Sequence, residues 1–354
     1  MTSAQRYRFW LVGLAVFLLL LYVLRGVLLP FVAGMAVAYF LDPLADRLER
    51  LGLSRTMATS LITLGFFALV VLLILVLFPV VEDQVLNFAH RVPGYIDSFG
   101  KRIQPLVNEL KRHLSARDIE RLQSSAGEYA GTAASWAAGV LKGVLTGGLV
   151  VVNILSLLFI TPVVTFYLLR DWDVMIGKMD SWLPREHAET IRQQAREINR
   201  TLSGFLRGQA MVCLALGTFY GIGLSLVGLD LGLVIGLLSG LLSFIPYLGS
   251  ISGFIAGVGL ALAQSEGWTL PLLVIGVFLV GQAIEGNVLT PKLVGDKVGL
   301  HPVWIMFAVL AGGALFGFVG ILIAVPVAAV VGVLTRFALS RYLESPLYFG
   351  NRHD

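Results

Sequence analysis

LGLVIGLLSGLLSFIPYLGSISGFIAGVGLALAQ, residues 231–264, contains no Asp, Glu, Lys or Arg. As one straight helix it would run about 50 Å, against about 30 Å for the hydrocarbon core of a bilayer. The stretch is too long for a single crossing, and Gly, Ser and Pro interrupt it near its middle. Its first arm, Leu231–Leu242, reaches only about 18 Å as a helix, enough to enter the membrane and turn back. Gly240, Ser243, Pro246 and Gly249 supply the permissive backbone such a turn requires.

Residues 302–337, PVWIMFAVLAGGALFGFVGILIAVPVAAVVGVLTRF, repeat the pattern. GLLSGLLSFIPYLG at 236–249 aligns with AVLAGGALFGFVG at 308–320, placing Gly240 on Gly312 and Phe244 on Phe316. Gly312, Gly313, Gly317 and Gly320 loosen the second tip as the first is loosened. The first tract leaves the outer end of the apolar run 209–228, and the second leaves the opposite end of 270–290. Similar segments entering from opposite faces are what an inverted repeat predicts. Irregular main chain at membrane depth survives where it is buried in protein or lines a watery cavity, so the two tips point to a binding site. The same glycines also suit close helix packing, which the sequence alone leaves open.

Composition agrees with a membrane protein. Hydrophobic residues make up 57% of the 354 positions and charged residues 14%, well below the roughly one quarter of soluble domains. The charges are segregated: 15 of 48 lie in 82–148 and 13 in 170–207. Further apolar tracts fall at 9–24, 27–41, 56–81 and 149–169, giving an all-α polytopic membrane protein of about 8 transmembrane helices. Arg6, Arg8, Arg47, Arg50, Arg55, the arginines from Arg170 to Arg207, Lys292, Lys297 and Arg341 fall on one side if the crossings alternate. The positive-inside rule makes that side, with both termini, cytoplasmic.

The chain then divides into N-terminal spans (1–81), an extracytoplasmic helical domain (82–148) and a span (149–169). A cytoplasmic amphipathic segment (170–208), a C-terminal unit (209–340) and a tail (341–354) follow. In the outer domain, Val92, Ile96, Phe99, Ile103, Leu106, Leu110 and Leu114 recur at helical steps, and Ser115 with Asp118 resembles a capping box for a second helix. Pro184 suits the first turn of a helix to about 206, whose Arg192, Arg196 and Arg200 face predicts a position on the headgroups. Asp42 reads as the cap of a loop helix opening at Pro43.

The second informative stretch is QAIEGNVLTPKLVGDKVGLHP, 282–302. Glu285 lies inside an apolar tract whose exit is marked by Pro291 and Lys292. A carboxylate at that depth costs several kcal/mol unless solvated or paired, which makes it a functional candidate able to exchange a proton. Gln282 shares its helical face and Asn287 and Thr290 lie nearby, so these residues and the hairpin tips form the candidate pathway for a solute or coupling ion. A structural hydrogen bond or a Glu285–Lys292 contact holding a helix end is the plainer alternative. Pro162, after Thr161, bends its span and is a candidate hinge, as are Pro291 and Arg207.

Other chemistries find little support. The net charge of +4 comes from basic residues interleaved with acids, so no nucleic-acid stripe results. Lone Cys213 excludes an intramolecular disulfide, and no P-loop, HExxH, GxSxG or His pair at ligand spacing occurs. No enzyme, metal or organic cofactor is expected.

DPLADRLERLGLSR at 42–55, TPVVTFYLLRDWD at 161–173, GLLSFIPYLGS at 240–250, EGNVLTPKLVGDKVGLHP at 285–302 and LFGFVGILIAVPVAA at 315–329 resemble, in order and spacing, the autoinducer-2 exporter family of bacterial permeases. The resemblance implies a multi-span inner-membrane homo-oligomer ascribed to export of a small furanone-like quorum-sensing signal; some members are ascribed sodium or lithium/proton antiport. Glu285, Asn287, Pro291 and the PYLG and LFG segments, with Pro246, Tyr247, Gly249 and Phe316, fall on the signature positions of that family; Ser243 precedes PYLG in the same tip. The expectation is a secondary transporter of a small polar solute, with H+ or Na+ as candidate coupling ion. A sodium(lithium)/proton antiporter and a non-transporting scaffold docking through 82–148 stand as alternatives.

Overall fold

The computed structural model describes residues 8, 12–13, 16–17, 19–113, 148–294 and 299–349, and every regular element among them is helical. The elements are α1 (Leu29–Arg50), α2 (Arg55–His113), α3 (Gly148–Ser181), α4 (Ala188–Leu226), α5 (Gly232–Leu242), α6 (Leu248–Gln264), α7 (Thr269–Ile284), α8 (Pro302–Leu343) and the short α9 (Pro346–Phe349). A π-helical segment, Glu285–Val294, extends α7. Five described helices are long and apolar enough to cross a membrane, so this is a multi-pass membrane protein. The expected second helix from Ser115 and Asp118 lies outside the described residues.

Several expected breaks are absent, for one reason: a helix that leaves the membrane loses nothing by continuing in water. α2 carries its apolar tract through the amphipathic repeat without interruption for 59 residues, about 88 Å. α3 and α4 likewise join spans to charged ends. The basic segment of α4 is therefore continuous with its apolar span, with no break between them. Its start is Ala188; Pro184 sits in the preceding turn, where its carbonyl accepts from the His187 amide at 3.1 Å. Pro43 lies inside α1, so Asp42 caps no helix.

Asp42 instead joins Asp46 and Glu49 as an acidic stripe along α1, and Arg55 at the start of α2 donates to all three at 3.0, 2.7 and 3.2 Å. Arg55 also donates to the Leu169 carbonyl of α3 at 2.9 and 3.1 Å. One guanidinium thus ties three helices at the end that carries most of the arginines, called the basic end below. Beneath it Ala38, Leu41, Ala45 and Leu169 form a small core. Gly34 admits Val164 against α1, and Thr165 donates to the Gly34 carbonyl at 3.2 Å.

The second and larger core centres on α4. Phe205, Val212, Leu216, Tyr220 and Leu224 are buried along one stripe and meet Val274 and Phe278 of α7, Ala261 of α6, and Val325 and Ala329 of α8. α5 lies against α4 through facing glycines: Gly240 meets Gly217, Gly236 meets Gly221 and Gly232 meets Leu224, with no room for a Cβ at 232, 236 or 240. Gly240 therefore serves packing, not the turn.

The first hairpin turns at 243–247. Its reversal uses Tyr247 in the left-handed region (φ 67), the only such non-glycine among the described residues. Gly249 then returns against the Ser239 and Ser243 main chain, too close for a side chain. The carbonyl of Ser243, freed at the end of α5, accepts from the buried Gln209 amide at 2.5 Å. In the second tract Gly317 adopts φ 61, ψ −139 inside α8. Gly312 and Gly320, about 12 Å apart in a straight helix, meet face to face, because a Cβ on Gly312 would lie 2.5 Å from the Gly320 carbonyl oxygen. α8 is therefore a hairpin too. Its reversal at 317 falls 72 positions after 245, inside the first tip.

At the end away from Arg55, Asp230 between α4 and α5 accepts from Arg91 of α2 at 2.8 Å, from Tyr95 and from Gln264.

Arg55→Met should lower stability in detergent by about 2–3 kcal/mol, less than the ~3–5 kcal/mol of a fully buried pair because Asp46 and Glu49 are 45% and 46% exposed; a thermal melt measures it. Gln209→Leu leaves the Ser243 carbonyl without its donor, at about 1–3 kcal/mol. Amide exchange over residues 244–248 should then quicken at least about fivefold, with α3 unchanged.

Candidate functional site

The sequence-selected residues occupy three places. The first is the junction of α7 and its π-helical extension. α7 is a regular helix up to Ile284; from Glu285 the turns widen, and the segment includes Pro291, which has no amide hydrogen for a regular helical ladder. Single π turns inside α-helices concentrate at functional sites. The widened segment is pressed on α4, where Gly208 leaves no space for a Cβ beside the Leu293 carbonyl.

Glu285, partly buried, opens this segment, and Gln282 one turn earlier donates to its Oε2 at 3.3 Å. No ion pair joins Glu285 to Lys292 among the described residues; of the two plain structural contacts, the hydrogen bond is present, from Gln282, and the lysine contact is not. Lys292 and Thr290 are exposed. Asn287 turns back on its own helix and donates to the Ala283 carbonyl at 2.9 Å.

Behind Glu285 stands a residue that sequence reasoning missed. Tyr220 of α4 is fully buried, stacks on Phe278 at 4.8 Å between ring centroids, and presses its hydroxyl against Gly281. The Gln282 side chain lies within reach of that hydroxyl, but no well-aligned hydrogen bond to it forms among the described residues. A buried hydroxyl without a well-aligned hydrogen bond costs up to about 1–3 kcal/mol, which a water or bound group recovers. Glu285 acts electrostatically on both Tyr220 and Cys213, so the three share one neighbourhood. The one available signal was spacing, since Cys213 and Tyr220 are seven residues apart.

The second place is the first hairpin tip. Ser243, Pro246, Tyr247 and Gly249 lie there as expected, with Gln209 as the unforeseen donor. α4 links this tip to the first place, since Gln209 holds Ser243 while its neighbour Gly208 touches Leu293. The third place is the second tip. Gly312, Gly313, Gly317 and Gly320 build its reversal, and Phe316 meets Tyr22 of the N-terminal segment edge-on at 6.5 Å.

The candidate hinges differ among themselves. Pro162 sits inside α3, next to the buried, unpartnered Thr161 hydroxyl. Pro291 lies in the π segment. Arg207 reaches across from α4 to the Tyr39 carbonyl of α1 with two long contacts of 3.4 Å. No group of three or more His, Cys, Asp or Glu residues stands together among the described residues.

Known proteins of this kind are transport proteins by name. A family model described as "AI-2E family transporter" matches residues 11–339. "Putative transport protein YrrI" of Bacillus subtilis (strain 168) is 28% identical over 315 residues, covering 88% of this chain and 86% of the relative. "Putative permease PerM" of Escherichia coli (strain K12) is 28% identical over 312 residues, 88% and 87% of the two chains. "Putative transport protein YueF" of Bacillus subtilis (strain 168) is 25% identical over 352 residues, 92% of each. With the match running from the first apolar tract through both hairpins, the chain belongs to the AI-2E family of transporters.

Proposed function

We propose that the chain is a secondary transporter that exports or exchanges a small polar solute, such as an autoinducer-2-like signal, with H+ or Na+ as coupling ion. The observation that carries this reading is Glu285 at the mouth of a π-helical segment, hydrogen-bonded to Gln282, whose side chain also lies within reach of the buried Tyr220 hydroxyl. An ionisable group in an apolar helix, grouped with a buried hydroxyl and an amide, is an arrangement that can bind a proton, ion or solute. Two hairpins whose arms turn back on themselves supply irregular main chain of the kind that lines a pathway.

The reading places the protein in a bacterial inner membrane, multi-pass, with both termini and the basic end in the cytoplasm and no catalytic role. α4–α8 would move against α1–α3, because the two cores are separate; Arg207 to Tyr39 at the basic end and Arg91 to Asp230 at the other are among the contacts that such a movement would change. α2 turns large apolar side chains such as Leu64, Leu69 and Leu75 outward, a face for lipid or for further copies in a homo-oligomer.

A sodium(lithium)/proton antiporter is the second reading, favoured by the same carboxylate, which would then bind the cation directly. Everted vesicles separate the two: a pH change on adding sodium or lithium, lost in Glu285→Gln, belongs to the antiporter alone. For the solute transporter, Glu285→Gln in proteoliposomes should cut flux at least about tenfold or abolish its pH dependence. Unchanged flux with an unchanged pH profile would remove Glu285 from the mechanism.

A further inference from the structure

At the basic end a cleft of about 80 Å³ opens between α1 and α3 on one side and α4 on the other. That is room for about five to eight waters, or for a solute of similarly few heavy atoms. None of its lining residues but Arg207 was selected from the sequence.

Its α4 wall carries Asn199, Ser203 and Arg207 at four-residue spacing, hence on one helical face. Asn199 and Ser203 make no side-chain hydrogen bond among the described residues, and Arg207 has only its two 3.4 Å contacts, so donors remain to spare. The opposite wall carries Asp42, one of whose oxygens accepts from Arg55 at 3.0 Å while the other carries no hydrogen bond among the described residues. Beside it the Tyr39 and Trp172 rings pack edge-on at 5.5 Å and form an aromatic surface.

A free carboxylate solute would meet Asp42, and an ammonium would meet Arg207. Adjacent hydroxyls satisfy both walls, since each can donate to Asp42 and accept from Arg207 or Asn199, while their C–H face lies on an aromatic ring. We propose that this cleft is a binding site for a small uncharged polyol, held between the α4 stripe and the Asp42–Trp172 wall. The proposal rests on the reading of the chain as carrier of a small polar solute, and it names that solute's chemical class and a binding place distinct from Glu285.

Adjacent hydroxyls could come from a free solute or from the glycerol headgroup of a lipid, and the experiment separates them. The full chain in phosphatidylcholine nanodiscs is titrated with erythritol and read by saturation-transfer NMR. Saturable binding is expected, weakened about tenfold in Arg207→Gln and about threefold in Ser203→Ala, a change that removes one partly exposed hydroxyl. Acetate should not compete. Absence of saturable binding, indifference to both substitutions at an unchanged melting temperature, or displacement by acetate would each overturn the proposal. Binding that persists in discs containing phosphatidylglycerol supports a free solute; its loss there overturns it in favour of the lipid headgroup. Glu285→Gln keeps the two readings apart: if flux survives that change while Arg207→Gln loses erythritol, the Glu285 pathway falls and the cleft stands.

Discussion

The close contact of α4 with α5 is the constraint on which the C-terminal half depends. Lipid gives helices no hydrophobic reason to associate, so contact must come from shape and small side chains. Gly217 and Gly221 of α4 face Gly240 and Gly236 of α5, and Gly232 lies on the Leu224 main chain, so the backbones touch along three turns. An arm of 11 residues, about 16 Å long, is too short to be held by crossing the membrane. It is held by this glycine seam, by Gln209 at its end and by the returning α6, which seats Gly249 and Gly253 on Ser239.

From that seam the rest follows along α4. The same helix that receives α5 on one face receives the π-helical extension of α7 at Gly208 and buries Tyr220 under Gly281. A change in the width of the π segment would therefore be felt at Gln209 and the first hairpin tip, one residue from Gly208. This is a route of direct contacts between the carboxylate and the reversal. In the N-terminal half the comparable role belongs to Arg55, a single guanidinium satisfied by three carboxylates and a carbonyl of α3.

The two hairpins reach one shape by different local means. The first reverses through a five-residue tip with Tyr247 in a left-handed conformation that a non-glycine residue adopts at a cost. The second reverses at the single residue Gly317, whose positive φ suits glycine, and closes through Gly312 on Gly320. Their tips also face different neighbours: the first is gripped by α4, whereas Phe316 of the second meets Tyr22. Sequence similarity at an offset of 72 thus marks a shared reversal without shared surroundings.

Apolar tract length and the segregation of charge determined the membrane class, and tracts too long for one crossing and broken by Gly and Pro determined both reversals, because these are properties of single segments. Glu285 was legible for the same reason, as a charge where lipid-facing sequence allows none. What only tertiary structure decided are relations between segments: that Gly240 packs and does not turn, that Asp42 belongs to Arg55, that Tyr220 stands buried behind Glu285, and that Asn199, Ser203 and Arg207 face Asp42 and Trp172 across a cleft. Each depends on which helix faces come together, and helical periodicity fixes the faces of a segment without choosing their partners.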